Sequence, residues 1–378
     1  MQMSKTLDLT KELISKPSVT PNDMGCQDLI TQRLKPLGFN IEKIDFGEVS
    51  NLWATVGEGN KMLVLLGHTD VVPTGPIEQW DSDPFTGTER DGLLYGRGVA
   101  DMKSSVAAFI TACEDISSEK IPLKGKLGIM LTSDEEGPAE DGVKKVVEEL
   151  KSRGINIDWC LVGEPTSEDV LGDAIKIGRR GSVGASITIK GVQGHIAYPS
   201  KADNPIHKSM IIVNDIASLK WKDNTGKFPD SVLQISNINS GTGAENVIPG
   251  ELNFKFNVRY SPSITAEKIK EEVENILKSH EVEFESEWKE SGLPFLTEEK
   301  ELIDAVTSSI KEELNLKDVK LSTEGGTSDG RFIAPTGSQV VELGPRNESI
   351  HKINESVRVS DLDKLSKLYK RIILKLLG

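Results

Sequence analysis

Two histidines and five carboxylates have the types and spacing to share one piece of chemistry: His68, Asp70, Asp101, Glu135, Glu136, Glu164 and His351. Imidazole and carboxylate together suit borderline divalent ions, zinc above all, better than calcium or magnesium. His68 and Asp70 are two positions apart, so on an extended backbone they face the same way. In one distribution that balances charge, His68 and Glu164 hold one ion, Glu136 and His351 hold a second, and Asp101 lies between them. Three carboxylates against two dications then leave one positive charge for a bridging hydroxide; in such pairs the ions lie ~3.5–4 Å apart and lower the pKa of water to about 7. Asp70 suits a carboxylate that orients the imidazole of His68. Glu135 adjoins a ligand but alternates away from it. It is placed to take a proton from attacking water and return it to a leaving nitrogen, a contribution of ~10²–10⁴-fold. Plainer readings stand beside these: a core histidine at 68, a helix N-cap at Asp101, a solvated acidic turn at Glu135–Glu136, a helix entry at Glu164 and a surface histidine at 351. For all of them to hold at once is the weaker alternative.

The elements that must position these groups are apolar strands. Met62–Leu66 ends at Gly67-His68-Thr69-Asp70, Lys126–Thr132 at Ser133-Asp134-Glu135-Glu136, and Trp159–Val162 at Gly163-Glu164-Pro165. Ligands in open α/β sheets gather beyond the carboxyl ends of the strands. Helical periods near 4–16, 23–37, through Ala107, Phe109, Ile110 and Ala112, and at 143–150 alternate with the strands, the pattern of βαβ units and a largely parallel sheet. From about residue 181 the pattern changes to half-exposed strands at 182–190, 231–239, 252–259 and 282–288, with amphipathic helices near 203–219 and 264–279. That β-α-β-β-α-β order is ferredoxin-like. The expected fold class is α/β: a catalytic domain built from residues 1–180 and 294–378, interrupted by a smaller ferredoxin-like α+β domain at 181–293. A chain of 378 residues also exceeds what one hydrophobic core usually supports.

Composition removes several classes. Lys and Arg total 45 against 59 Asp and Glu, a net charge of −14 that argues against nucleic-acid binding. Cys26, Cys113 and Cys160 are odd in number and widely spaced, so buried free thiols are expected and not a disulfide framework. The first residues, Met1-Gln2-Met3-Ser4-Lys5, lack the apolar core of a signal peptide, and no apolar run reaches the ~18 residues of a membrane span. A cytoplasmic protein without membrane partners is expected.

Four motifs, Gly67–Pro73, Gly96-Arg97-Gly98-Val99-Ala100-Asp101-Met102-Lys103, Ser133–Gly137 and Gly163-Glu164-Pro165, closely resemble those of the zinc-dependent aminoacylase/carboxypeptidase family of metallohydrolases, in order along the whole chain. The resemblance implies a two-zinc metallopeptidase-like α/β domain, with cobalt a possible substitute, and a ferredoxin-like dimerisation domain. It implies His68, Asp101, Glu136, Glu164 and His351 as ligands, Glu135 as general acid/base, Asp70 as the orienting carboxylate and a cis Asp101–Met102 peptide. His195 is implied to reach the partner subunit's site in a homodimer and stabilise an oxyanion.

Further stretches, Ile177–Ser182, Gly191–Pro199, Ser322–Phe332 and Val341–Pro345, resemble a branch of the family that hydrolyses an N-acylated diamino-diacid. Such an anionic substrate needs fixed donors on an acidic protein. Arg179 and Arg259 are candidate carboxylate clamps, Arg331 is a weaker one, and Tyr198, Asn246, Gly326 and Thr327 add hydroxyl, amide and backbone donors. Glu324 departs from the usual pattern by adding a negative charge beside that turn. The alternatives are a deacylase for another N-acyl amino acid, a dipeptidase, or a metal-free binding relative, which would lack one or more ligands.

Overall fold

The computed structural model describes residues 4–378. Met1–Met3, which open the stretch read above as lacking a signal peptide, lie outside the described residues. The chain divides into two compact units. The first contains the described residues up to Gly178, Leu296–Ser322 and Ser328–Gly378; the second contains Arg179–Phe295 and Thr323–Thr327.

The first unit is organised on an eight-stranded sheet. Its order is Asn40–Lys43, Asn51–Val56, Lys126–Thr132, Met62–His68, Trp159–Val162, Gln339–Glu342, Ala174–Lys176 and Lys320–Ser322. The four strands in the middle, from Lys126–Thr132 to Gln339–Glu342, run parallel. Asn40–Lys43 and Asn51–Val56 join antiparallel on one side, and the junction of Gln339–Glu342 with Ala174–Lys176 is antiparallel on the other. The sheet is therefore mixed, more so than the alternation of strands and helices predicts.

Met62–His68 is buried at every position, as expected of a strand covered on both faces. Leu63 and Leu65 enter a core with Val106, Phe109 and Ile110 of helix Ser104–Ser118 and Leu368, Tyr369 and Ile372 of helix Val359–Leu377. Fully burying one leucine stabilises the fold by about 1.5–3 kcal/mol. Gly67 continues that face: a Cβ there would lie 2.6 Å from Cε of Met102 and 3.3 Å from Cγ2 of Val106. By alternation His68 must then leave the sheet on the opposite side. Gly163 does the same on the neighbouring strand, where a Cβ would meet the same Met102 methyl at 2.5 Å. Two glycines thus seat Met102 beneath the strand ends that carry His68 and Glu164.

The second unit has a four-stranded antiparallel sheet ordered Val232–Ser240, Glu251–Tyr260, Gly181–Lys190 and Phe284–Gly292. Helices Pro205–Ala217 and Ala266–Ser279 complete the β-α-β-β-α-β order. Each helix starts where a side chain accepts an otherwise unpaired amide: Asn204 from Ile206, ahead of Pro205, and Thr265 from Lys268. Ile187, Ile189, Phe254 and Val258 pack against Ile212, Ile269, Val273 and Leu277. The turn Thr323–Thr327 packs with this unit, although the sequence pattern places it with the C-terminal section of the first. Two hydrogen bonds hold it there, from Thr323 Oγ1 to the Lys227 carbonyl at 2.7 Å and from Arg179 Nη1 to the Glu324 carbonyl at 3.1 Å.

Cys26, Cys113 and Cys160 are buried and free. No helix among the described residues is long and apolar enough to cross a membrane.

Candidate metal centre and active site

The first unit brings all seven candidate residues to the carboxyl ends of its central strands. Asp101 lies in the middle of them. One of its carboxylate oxygens is 3.2 Å from Nε2 of His68, and the other is 3.4 Å from Nε2 of His351. Glu164 stands 3.8 Å from the same His68 nitrogen, and Glu136 hydrogen-bonds Nε2 of His351 at 3.0 Å. His68, Asp101 and Glu164 form one donor set, with one donor atom of each within 4.8 Å of the others; Asp101, Glu136 and His351 form a second. Glu135 belongs to a third such group with His68 and Glu136.

Asp101 does not cap the helix that follows it. It sits in an irregular turn, Val99–Lys103, with extended rather than helical dihedrals (φ −122°, ψ 91°), and helix Ser104–Ser118 begins without a side-chain cap. The Asp101–Met102 peptide is cis. Glu164 likewise precedes no helix, since Glu164–Thr166 is irregular chain. Both plainer readings of these residues therefore fail on local geometry.

The donor chemistry fits divalent ions. Nδ1 of His68 lies 2.9 Å from the backbone carbonyl of Asp70. A carbonyl only accepts, so Nδ1 carries a hydrogen, and Nε2 is the nitrogen turned toward Asp101 and Glu164. One imidazole nitrogen and two carboxylates gathered at these distances are donors that a divalent ion would take in place of a proton. The electrostatics agree. Burial, then the neighbouring Asp101 and Glu135 charges, pushes the Glu164 carboxyl well up. Burial also raises Glu136, against its hydrogen bond from His351. Burial opposes charge on both Asp101 and His68, yet their hydrogen bonds win. Asp101 is held well below the usual carboxylate range by His351 and His68, and His68 is held well above an ordinary imidazole by its hydrogen bond to Asp101 and by the nearby Asp70 charge. Hydrogen bonds donated to Asp101 and Glu136 push half-exposed His351 up to about 10.

The Asp70 carboxylate is 3.6 Å from Nδ1 of His68, beyond hydrogen-bond range, because the Asp70 carbonyl occupies that place. Its oxygens instead accept the backbone N–H of Glu136 at 3.1 Å and of Glu135, more weakly, at 3.4 Å. Asp70 therefore aims the histidine with its backbone and anchors the acidic turn with its side chain. Burial and the Asp329 carboxylate raise Glu135 well above an ordinary glutamate. Asp329 itself is buried and pushed up to about 6, although Arg331, 3.6 Å away, opposes the shift.

The remaining candidates lie in the second unit, apart from Arg331. That guanidinium is buried between Asp329 and the Phe332 ring, 4.3 Å from the ring centre, and is not presented as a clamp. His195 is exposed on a short ladder pairing it with Val247. Its Nδ1 accepts the Ala197 amide at 3.0 Å, so the neutral ring carries its hydrogen on Nε2. Tyr198 is 60% exposed with its ring 5.7 Å from that of His195, and Asn246 holds the same segment through its carbonyl, which accepts the Ile196 amide at 3.1 Å. Arg179 is buried against the Glu324 carbonyl. Arg259 lies on Glu251–Tyr260 opposite Ser182 and Val232. Gly326 is exposed, and the adjacent Thr327 hydroxyl is buried without a hydrogen-bond partner among the described residues.

Residues 64–375 match the model of peptidase family M20/M25/M40, and the chain belongs to that family. Two curated proteins named succinyl-diaminopimelate desuccinylase, from Hahella chejuensis and Thioalkalivibrio sulfidiphilus, are each 54% identical to it over 375 residues. The first alignment covers 99% of this chain and 98% of the relative, the second 99% and 100%. Among solved structures, an M20 family metallo-carboxypeptidase from Sulfolobus solfataricus superimposes with a TM-score of 0.84 at 17% identity, covering 98% of this chain and 99% of the other. A dinuclear metal-binding M20 peptidase from Bacillus subtilis gives 0.75 at 16% identity, covering 98% and 97%. These two likenesses establish the fold: an M20 peptidase architecture of mixed α/β class.

Arg97 and Glu355 are not residues that the sequence singles out, yet they are buried beside Asp101. Arg97 lies inside the Gly96–Lys103 motif and Glu355 four residues after His351, so proximity to candidate ligands is the available signal.

Proposed function

We propose that this chain hydrolyses N-succinyl-LL-2,6-diaminopimelate to succinate and LL-2,6-diaminopimelate. The observation that carries the chemistry is the division of Asp101, one oxygen toward His68 and the other toward His351. It supports two adjacent divalent ions, one held by His68, Asp101 and Glu164 and the other by Asp101, Glu136 and His351. The choice of substrate is supported by the full-length similarity to the desuccinylases.

Zinc, with cobalt as a substitute, would supply the positive charge that acidifies water and polarises the amide carbonyl. The protein does the rest. Glu135, held by the Asp70 carboxylate through its backbone, takes the proton of the attacking water on its carboxylate and passes it to the departing amine nitrogen. Its raised pKa is in the direction that such a shuttle needs. His195 donates from Nε2–H to the oxyanion of the tetrahedral intermediate, acting in a homodimer on the site of the other subunit. Arg179 and Arg259 bind substrate carboxylates, with Tyr198, Asn246, Gly326 and Thr327 supplying further donors. The domains carrying these roles are the α/β catalytic domain and the inserted dimerisation domain, in a cytoplasmic enzyme. Assay of the purified protein with added zinc on the succinylated diamino-diacid and on N-acetylornithine tests the assignment. Preference for the acetyl compound would redirect it to a neighbouring deacylase.

A further inference from the structure

The Glu355 carboxylate is wholly buried and accepts hydrogen bonds on both oxygens. One oxygen takes Arg97 Nη1 at 2.7 Å and the Gly98 amide at 3.0 Å; the other takes the Ala100 amide at 2.8 Å and the Asp101 amide at 3.2 Å. The Glu355 backbone carbonyl also accepts the Gly96 amide at 3.0 Å. Arg97, 2% exposed, reaches on to the Lys352 carbonyl at 3.1 Å and lies over the Trp80 ring. One buried pair therefore grips two separate segments: the turn that presents Asp101 and the loop that presents His351.

We propose that Glu355 and Arg97 are positioning residues that set the separation of Asp101 from His351, and so the strength with which the second metal ion is held. This rests on the two-metal reading above. A buried ion pair is a poor device for stability alone, since apolar replacements of similar volume are often as stable. No apolar side chain, however, could accept the amides of Gly98, Ala100 and Asp101 and a guanidinium from one point. The two donor sets also differ in their support. His68 and Glu164 stand at the ends of buried central strands. His351 is on an exposed loop, in the left-handed region at φ +60°, and among the described contacts the Arg97–Lys352 bond and Glu355 tie its neighbours back. Loosening the pair should therefore release His351 before it disturbs His68.

The test is titration of zinc into the metal-free full-length protein, read calorimetrically, with the metal-free thermal midpoint recorded in parallel. Wild type is expected to take up two equivalents. Glu355→Gln should bind one equivalent as wild type does and the second about 10–100-fold more weakly. His351→Ala should weaken the same equivalent and leave the first as in wild type. If Glu355→Gln does not fold, Arg97→Lys, which keeps the charge but gives up the fork geometry, should show the same selective weakening. Equal weakening of both equivalents, or unchanged binding of both, overturns the positioning role alone. A wild-type protein that binds no zinc overturns the two-metal reading and this inference with it.

Discussion

The Asp70 carboxylate accepts the backbone N–H of Glu136 at 3.1 Å, so the residue two positions beyond one histidine donor fixes the turn that carries another donor and its neighbour Glu135. Replacing Asp70 by alanine removes that anchor but leaves the carbonyl that orients His68. Activity should fall about 10–100-fold, the usual cost of losing a group that supports ligands, while the zinc equivalent held by His68 is retained. Elemental analysis beside the activity assay separates the two effects; complete loss of both metals would contradict the division of labour between backbone and side chain.

Glu135→Gln keeps the shape of the side chain and removes its ability to hold a proton. Turnover should drop by ~10²–10⁴-fold with metal content unchanged. A variant that loses metal in proportion to activity would make Glu135 a ligand instead.

Much of this arrangement is legible in the sequence. His68, Glu135, Glu136 and Glu164 stand out because uninterrupted apolar runs end at each of them, and such runs mark buried strands whatever the partners. Asp101 is ambiguous there for a physical reason: a loop-to-helix junction is also where aspartate caps helices, and only its non-helical dihedrals and its two histidine neighbours decide the matter. The Arg97–Glu355 pair spans 258 positions, and nothing local marks either member as one end of a bond. The antiparallel direction of strands Asn40–Lys43 and Asn51–Val56 is equally hidden, because periodicity reports burial and not strand direction. The turn Thr323–Thr327 changes unit through hydrogen bonds from Thr323 and Arg179 that no pattern encodes.

Metal binding should release protons. In the metal-free protein His351 is pushed up to about 10 by Asp101 and Glu136, so at neutral pH an incoming ion must displace its proton. The sign follows: a raised imidazole pKa stabilises the metal-free fold below about 6.5, and that contribution is lost as pH rises through about 10. Affinity for the second equivalent should accordingly increase from pH 6 to pH 8. Calorimetry in buffers of different ionisation enthalpy measures the protons released, and His351→Ala should release fewer. Affinity that falls over this range would reverse the argument.

His195→Ala removes an exposed Nε2–H without touching a donor set. It should lower kcat by the ~10²–10³-fold typical of one oxyanion donor, with zinc stoichiometry unchanged. Equal loss of metal and activity would rule out that role.

The most direct test of the whole account is the rate of succinate release from N-succinyl-LL-2,6-diaminopimelate by the metal-free protein, before and after two equivalents of zinc are restored. The expected result is no turnover without metal, recovery on its addition, and a kcat/KM for this substrate well above that for N-acetylornithine. Turnover that is indifferent to zinc, or a reconstituted enzyme that ignores the succinylated diamino-diacid, would contradict it.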